Sequence, residues 1–96
     1  MAERQRAPAA RLELHLPRYF FHVADGDDYP DLQGTELEND AAARTEAVRF
    51  SGHLLSSTPD KFWSGQEWKM RVTDDNDLTL FELMFTASCS AAMRMP

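Results

Sequence analysis

Little in this sequence offers ready-made chemistry. One cysteine, Cys89, stands among 96 residues. A single thiol excludes an intramolecular disulfide, and a reducing compartment, the cytoplasm, is the expected location. The four glycines are isolated from one another, so no Gly-rich loop is present to cradle a phosphate. No apolar run approaches the ~20 residues of a membrane span. The first residues hold arginines but no apolar segment of a secretory signal. Basic side chains are also scarce: 10 Lys+Arg stand against 16 Asp+Glu, for a net charge of -6 and a pI near 4.9. Such a chain repels phosphate backbones and anionic lipid, which counts against nucleic acid and membrane surfaces as partners. At this length one domain is expected, burying about 60–65% of its unfolded surface.

The charge is unevenly spread. Residues 1–18 carry Arg4, Arg6, Arg11 and Arg18 against Glu3 and Glu13, a net of +2. The remainder then holds 6 basic and 14 acidic residues, a net of -8. We expect residues 1–16, rich in Ala, Arg and Glu, to be a flexible N-terminal extension. Residues 17–86 form the single domain. Residues 87–96, "ASCSAAMRMP", contain small residues without pattern and are expected to be a flexible C-terminal tail.

Within the domain, periodicity predicts the elements. "PRYFFHV" at 17–23 reads as a strand, with Tyr19, Phe21 and Val23 on one face and Arg18, Phe20 and His22 on the other. "ADGDD" follows as a turn. A short, irregular strand is expected within 29–37, at an edge because Pro30 has no N–H for a ladder. Residues 40–56 carry Ala43, Ala47, Phe50 and Leu54 at helical spacing, with Val48, Ser51 and Leu55 alongside. Asn39 or Asp40 is a competent N-cap, and Pro59 is a stop. Gly52 is expected to let the helix approach the sheet. Thr58-Pro59-Asp60 suits the start of a further short turn carrying Phe62 and Trp63. Residues 67–73 alternate, placing Trp68, Met70 and Val72 inward and Glu67, Lys69, Arg71 and Thr73 outward. "DDND" at 74–77 is a turn, and 78–86 is the last strand.

The expected fold is α+β: two layers, one helix packed on an antiparallel sheet of three to four strands, in the order β-β-α-β-β. The last strand is apolar on both faces, with Thr79, Phe81, Leu83 and Phe85 on one and Leu78, Leu80, Glu82 and Met84 on the other. A four-stranded sheet is nearly 20 Å wide, whereas a helix covers ~10 Å. Part of the sheet therefore needs other cover. Phe81, Leu83, Phe85, Leu80 and Met84 are the expected interface residues of a homodimer. The competing expectation is that Phe62, Trp63 and the C-terminal tail fold back over this strand.

Candidate chemistry is thin. Asp25, Asp27, Asp28 and Asp31 are the only candidate metal ligands the first turn offers, for a hard cation such as calcium. An EF-hand loop counted from Asp25 places Pro30 where glycine is needed and Tyr29 at the third ligand position. The turn is better read as solvated, because Asp and Gly serve turns for local backbone reasons. Asp74, Asp75 and Asp77 read the same way, unless the two turns meet at one end of the sheet. His22 and His53 meet only if the first strand packs its histidine on the helix, and two histidines make no zinc site alone. Cys89 has no nearby His to activate it. No catalytic set assembles, so neither an enzyme nor a cofactor is expected.

"PRYFFHVADGD", "DLQGTEL", "AAARTEAVR" and "WKMRVTDDND" together resemble a small bacterial domain family of unknown function. Its pattern runs PRYFFH, then D-x-x-G-T-E-L, an A-x-x-E-A helix and V-T-D-E. The resemblance covers about residues 17–86. It implies a short cytoplasmic protein without assigned activity, and it supplies no catalytic residues. The chain departs from the pattern in three places. Members usually start at the position of Leu16, which makes residues 1–16 extra and Leu16 a candidate true start. "STPDKFWSGQ" reads as a local insertion. Asn76-Asp77 stands where Gly is common. "DDYPDLQG" before a helix also resembles a segment of HicB-type antitoxins. Those carry an added DNA-binding segment that this chain is too short to hold.

These observations favour a small, non-enzymatic, self-associating protein-interaction module. The alternative is a HicB-like antitoxin that neutralises a small basic protein partner through its acidic face. A further alternative is a small-ligand or cation binder using the acidic turns.

Overall fold

The computed structural model describes residues 16–65 and 67–93. The expected N-terminal extension, apart from Leu16, and the last three residues of the tail lie outside the described residues. The first strand, β1 (Arg18–Ala24), alternates as its sequence predicts, with Tyr19, Phe21 and Val23 buried. In place of the single strand expected within 29–37 there are two strands of two residues each, β2 (Asp28–Tyr29) and β3 (Thr35–Glu36). Pro30 breaks the ladder, and Gly34, at φ 74, turns the chain between them.

The first helix, α1 (Asp40–Ser57), starts at Asn39, whose side-chain oxygen accepts from the Ala42 N–H at 2.9 Å. That cap satisfies one of the N–H groups a helix start leaves unpaired. The helix buries Ala43, Ala47 and Ser51, small residues four apart, and these allow its close approach to the sheet. Gly52, expected to do this, faces open space. The second helix, α2 (Pro59–Ser64), is the short turn expected from Thr58-Pro59-Asp60, with proline in its first turn. The chain closes with β4 (Trp68–Thr73) and β5 (Thr79–Phe85).

The fold class is α+β, with α1 on one face of an antiparallel sheet. The sheet has five strands where three to four were expected, because the irregular segment contributes two. Its main order is β2-β1-β4-β5, with β3 pairing the start of β1. Phe21 pairs with Val72 and Val72 with Phe81; Val23 pairs with Met70 and Met70 with Leu83. Those rows face α1, where Phe21 meets Phe50 edge-on at 6.4 Å between centroids. The core is Tyr19, Phe21, Val23, Ala43, Ala47, Trp68, Met70 and Val72. Met70 is fully buried, against Ser51, whose hydroxyl lies 3.6 Å from its sulfur. Burying such a side chain stabilises the fold by about 1.5–3 kcal/mol.

Thr73 keeps the face predicted for it in β4, the one away from α1, where it pairs with Phe20 and meets His22. It is nonetheless buried there, at 1% exposure. The ladder between β4 and β5 shifts register between Val72 and Thr73, but the extra residue lies in β5, so the alternation of β4 is intact.

Tyr19 ties β1 to the start of α1: its hydroxyl donates to Asp40 Oδ1 at 2.6 Å. Burial, then the hydrogen bond and charge of Asp40, push its pKa from 10.0 up to about 12. Between those values the folded chain keeps a proton the unfolded chain has lost. The stability from this group is therefore complete below pH 10 and is lost as pH rises through about 12. We expect the thermal midpoint to fall less steeply over that range in Tyr19→Phe than in the parent. Equal slopes in the two proteins would refute this role.

Candidate functional site

The acidic segment after β1 is a structural clamp centred on Asp31. β2 pairs with Val23 and Ala24, and β3 with Arg18 and Tyr19. Between them, among the described residues, the outer edge of β1 has no strand beside it. Asp31 fills this gap. Its Oδ2 accepts from the Phe21 N–H at 3.1 Å, and its Oδ1 accepts from the N–H groups of Gln33 and Gly34, both at 3.0 Å. Partial burial pushes the Asp31 pKa up. The N–H donors of Gly34, Phe21 and Gln33, with His22 nearby, outweigh it and hold the carboxyl below its ordinary 3.8.

His22 closes the same gap from β1. Its Nδ1 accepts the Asp31 N–H at 3.1 Å, which leaves Nε2 as the donor to Thr73 Oγ1 at 3.0 Å. The hydroxyl explains how Thr73 is buried without an unpaired polar atom. His22 lies on the sheet face opposite α1, since its neighbour Phe21 packs on Phe50. The condition for His22 to meet His53 is therefore not fulfilled.

The other candidate ligands are placed apart. Asp25 pairs with Lys61 Nζ at 3.2 Å and accepts from the Asp27 N–H. The Lys61 ammonium also donates to the Tyr29 hydroxyl at 2.9 Å, which fastens α2 to β2. Asp27 and Asp28 are exposed. Among the described residues, no three His, Cys, Asp or Glu side chains gather where they could hold a metal ion. The two acidic turns lie at opposite ends of the sheet. Ala24, before the first, pairs with Lys69, whereas Thr73, before the second, pairs with Phe20. Four residues of strand, ~13 Å, separate those rows. In the second turn Asp74 Oδ1 accepts from the N–H groups of Asn76 and Leu78. Asp77 takes φ 64 there, the left-handed conformation for which glycine is the usual residue. Open clefts of about 400 and 510 Å³ flank the Asp31 loop, the first against Phe50 and the second beside Lys69 and Arg71.

The larger unsatisfied feature is β5. Among the described residues it pairs only with β4, at the edge of the sheet. Phe81, Leu83 and Phe85 pack against the core from one side but stay half-exposed, since α1 lies over β1 and β4. On the other face Leu80 is 37% and Met84 59% exposed. Phe62 packs against the core, but Trp63 is 58% exposed and residues 86–93 are exposed throughout. Among the described residues, the tail leaves Leu80 and Met84 exposed.

The backbone polarity of this edge follows from β1. The Phe21 N–H points to Asp31, away from β4. Phe21 and Val72 are therefore a non-hydrogen-bonded pair, and Val72, Met70 and Trp68 direct their N–H and C=O groups to β5. Phe81, Leu83 and Phe85 receive them. Glu82 and Met84, between these residues, direct theirs outward.

A family model matches residues 18–86: a domain of unknown function, DUF6894. The chain belongs to this family. The match opens on the first residue of β1 and closes one residue after β5, so the DUF6894 domain comprises the whole sheet and both helices. "RYFFH" and "GTEL" both fall within it. No curated protein and no solved structure matches the chain.

The role of Asp31 in this DUF6894 domain was missed by sequence reasoning, which grouped it with three other aspartates. The one available signal was the D-x-x-G spacing, because Asp commonly accepts from backbone N–H groups two and three residues on. The Phe21 contact is non-local and leaves no local signal.

Proposed function

We propose that this domain is a small, non-enzymatic protein-interaction module that self-associates through β5. The observation that carries this reading is the outer edge of β5, which is unpaired among the described residues, with apolar side chains on both faces and backbone groups of Glu82 and Met84 directed outward. Such an edge is a template for another strand, and soluble proteins usually blunt or cover it. The acidic turns favour the cation-binding alternative less, because Asp31 and Asp25 already have partners within the chain.

Native mass spectrometry of untagged protein at micromolar concentration tests the proposal. A dimer is expected. Met84→Pro removes an outward N–H that β4 does not use, so the monomer fold survives while strand addition is blocked. Its dimer dissociation constant should rise about ten-fold or more, which is ~1.4 kcal/mol. A parent protein that is monomeric at that concentration would overturn the reading. Co-purification of a small basic protein in place of a second copy would favour the antitoxin-like alternative, for which the net charge of -6 is the supporting feature.

A further inference from the structure

Resting on the self-association just proposed, we infer the register of the pairing. Two β5 strands meet antiparallel about a two-fold axis through Leu83, extending one sheet across both copies in the order β2-β1-β4-β5-β5-β4-β1-β2.

Two independent observations select this register. The first is the length of regular edge. Val72 pairs with Phe81, but the next residue, Thr73, pairs with Thr79, so Leu80 is an extra residue in β5. A bulge of this kind bends the strand and ends flat pairing. Regular edge is thereby confined to Phe81–Phe85, the last residue of which closes β5. The middle of that segment is Leu83.

The second observation is charge. Side-chain parity and the outward backbone groups of Glu82 and Met84 allow only two-fold registers that keep each residue on its own face. Centring on Glu82 sets it directly opposite the partner's Glu82, and facing like charges destabilise a sheet. Centring on Phe81 would run the partner strand across the bulge, and centring on Met84 would set Glu82 opposite the partner's Thr86, past the end of β5. Centring on Leu83 sets Glu82 opposite the partner's Met84. Glu82 keeps Arg71 as its cross-strand neighbour on its own β4. On the face that α1 half covers, Leu83 meets the partner's Leu83 and Phe81 meets the partner's Phe85. Aromatic and branched pairs of this kind are the favourable cross-strand contacts. The occupant is thus a second copy of this chain, because the edge matches itself in backbone polarity, sets apolar side chains against apolar ones and places no like charges directly opposite.

Disulfide trapping reads the register directly. Cys89 is first replaced by Ser, and Glu82→Cys and Met84→Cys are introduced separately. Both positions are exposed, so neither change disturbs the core. Facing residues of a hydrogen-bonded antiparallel pair have Cα atoms about 5.5 Å apart, within disulfide range, whereas diagonal neighbours at about 7–8 Å are outside it. Mixing the two variants under mild oxidation should give the mixed 82–84 disulfide dimer. Glu82→Cys alone should give no crosslinked dimer. A strong Glu82→Cys homodimer, or no mixed product from a chain that native mass spectrometry shows to be dimeric, overturns the register and leaves self-association standing. A monomeric Cys89→Ser chain overturns both.

Discussion

Asp31→Ala should lower the thermal midpoint by roughly 12–24 °C at neutral pH. The carboxylate holds three backbone N–H groups, and removing it strands the Phe21 N–H at a part-buried position where no neighbouring strand replaces the acceptor. An orphaned donor costs about 1–3 kcal/mol, and two lost turn hydrogen bonds raise the total to about 3 kcal/mol. A domain of this size shifts by about 4–8 °C per kcal/mol. Asp31→Asn should fall between the two. It keeps an acceptor for Gln33 and Gly34 but turns an amide toward another donor at Phe21. The pH dependence carries a definite sign. The folded pKa of Asp31 lies below its ordinary 3.8, so its contribution is present above that value and is lost as pH falls through the folded one. The gap between parent and Asp31→Ala should therefore close progressively below that pH. A gap that stays constant with pH would show that the ionised carboxylate is not what holds the loop.

The elements that could be read from the sequence are those whose stability is local and periodic. The helix predicted over 40–56 forms over Asp40–Ser57 because Ala43, Ala47 and Ser51 make a stripe and Asn39 caps its start. Alternation likewise located β1 and β4, and the apolar run over 78–86 located β5. Which small residue meets the sheet depends on the rotational setting of the helix, and this is why Gly52 was placed there wrongly. Alternation put Thr73 on the correct face but could not show its burial there, which comes from Phe20 across the ladder and from His22.

The segment from Asp25 to Glu36 was illegible for a different reason. Its order comes from side-chain to backbone hydrogen bonds that reach across nine and ten residues, as from Asp31 to His22 and Phe21. Such contacts impose no period. An aspartate held by N–H groups and one waiting for a cation look alike in sequence. Register also decided what the two acidic turns could do together, and register is a property of strand pairing, invisible in either turn alone. The apolar character of β5 on both faces was legible. Its place at the sheet edge was not, because strand order follows from pairing partners.

Gly34→Ala should cost as much as Asp31→Ala, by a separate route. Gly34 adopts φ 74, where an L-residue loses about 1–2 kcal/mol. A Cβ there would also lie 2.8 Å from Arg18 Cγ and from Phe20 Cε2. Neither atom is the free end of a flexible chain, since Arg18 is held by Glu36 and the Gln33 carbonyl, and the Phe20 ring stacks on His22. Relieving the overlap by moving β1 or the loop adds about 1–3 kcal/mol. The expected total is ~3 kcal/mol, or roughly 12–24 °C in thermal midpoint. Gly26→Ala supplies the control. Gly26 is at φ 107, farther from the left-handed minimum, yet nothing lies within 4 Å of a Cβ built there. On backbone strain alone Gly26→Ala should be the costlier change. If Gly34→Ala is the more destabilising, close approach of Arg18 and Phe20 is what requires glycine, and this links the "RYFFH" and "GTEL" segments physically. If Gly26→Ala costs as much or more, backbone conformation alone accounts for Gly34.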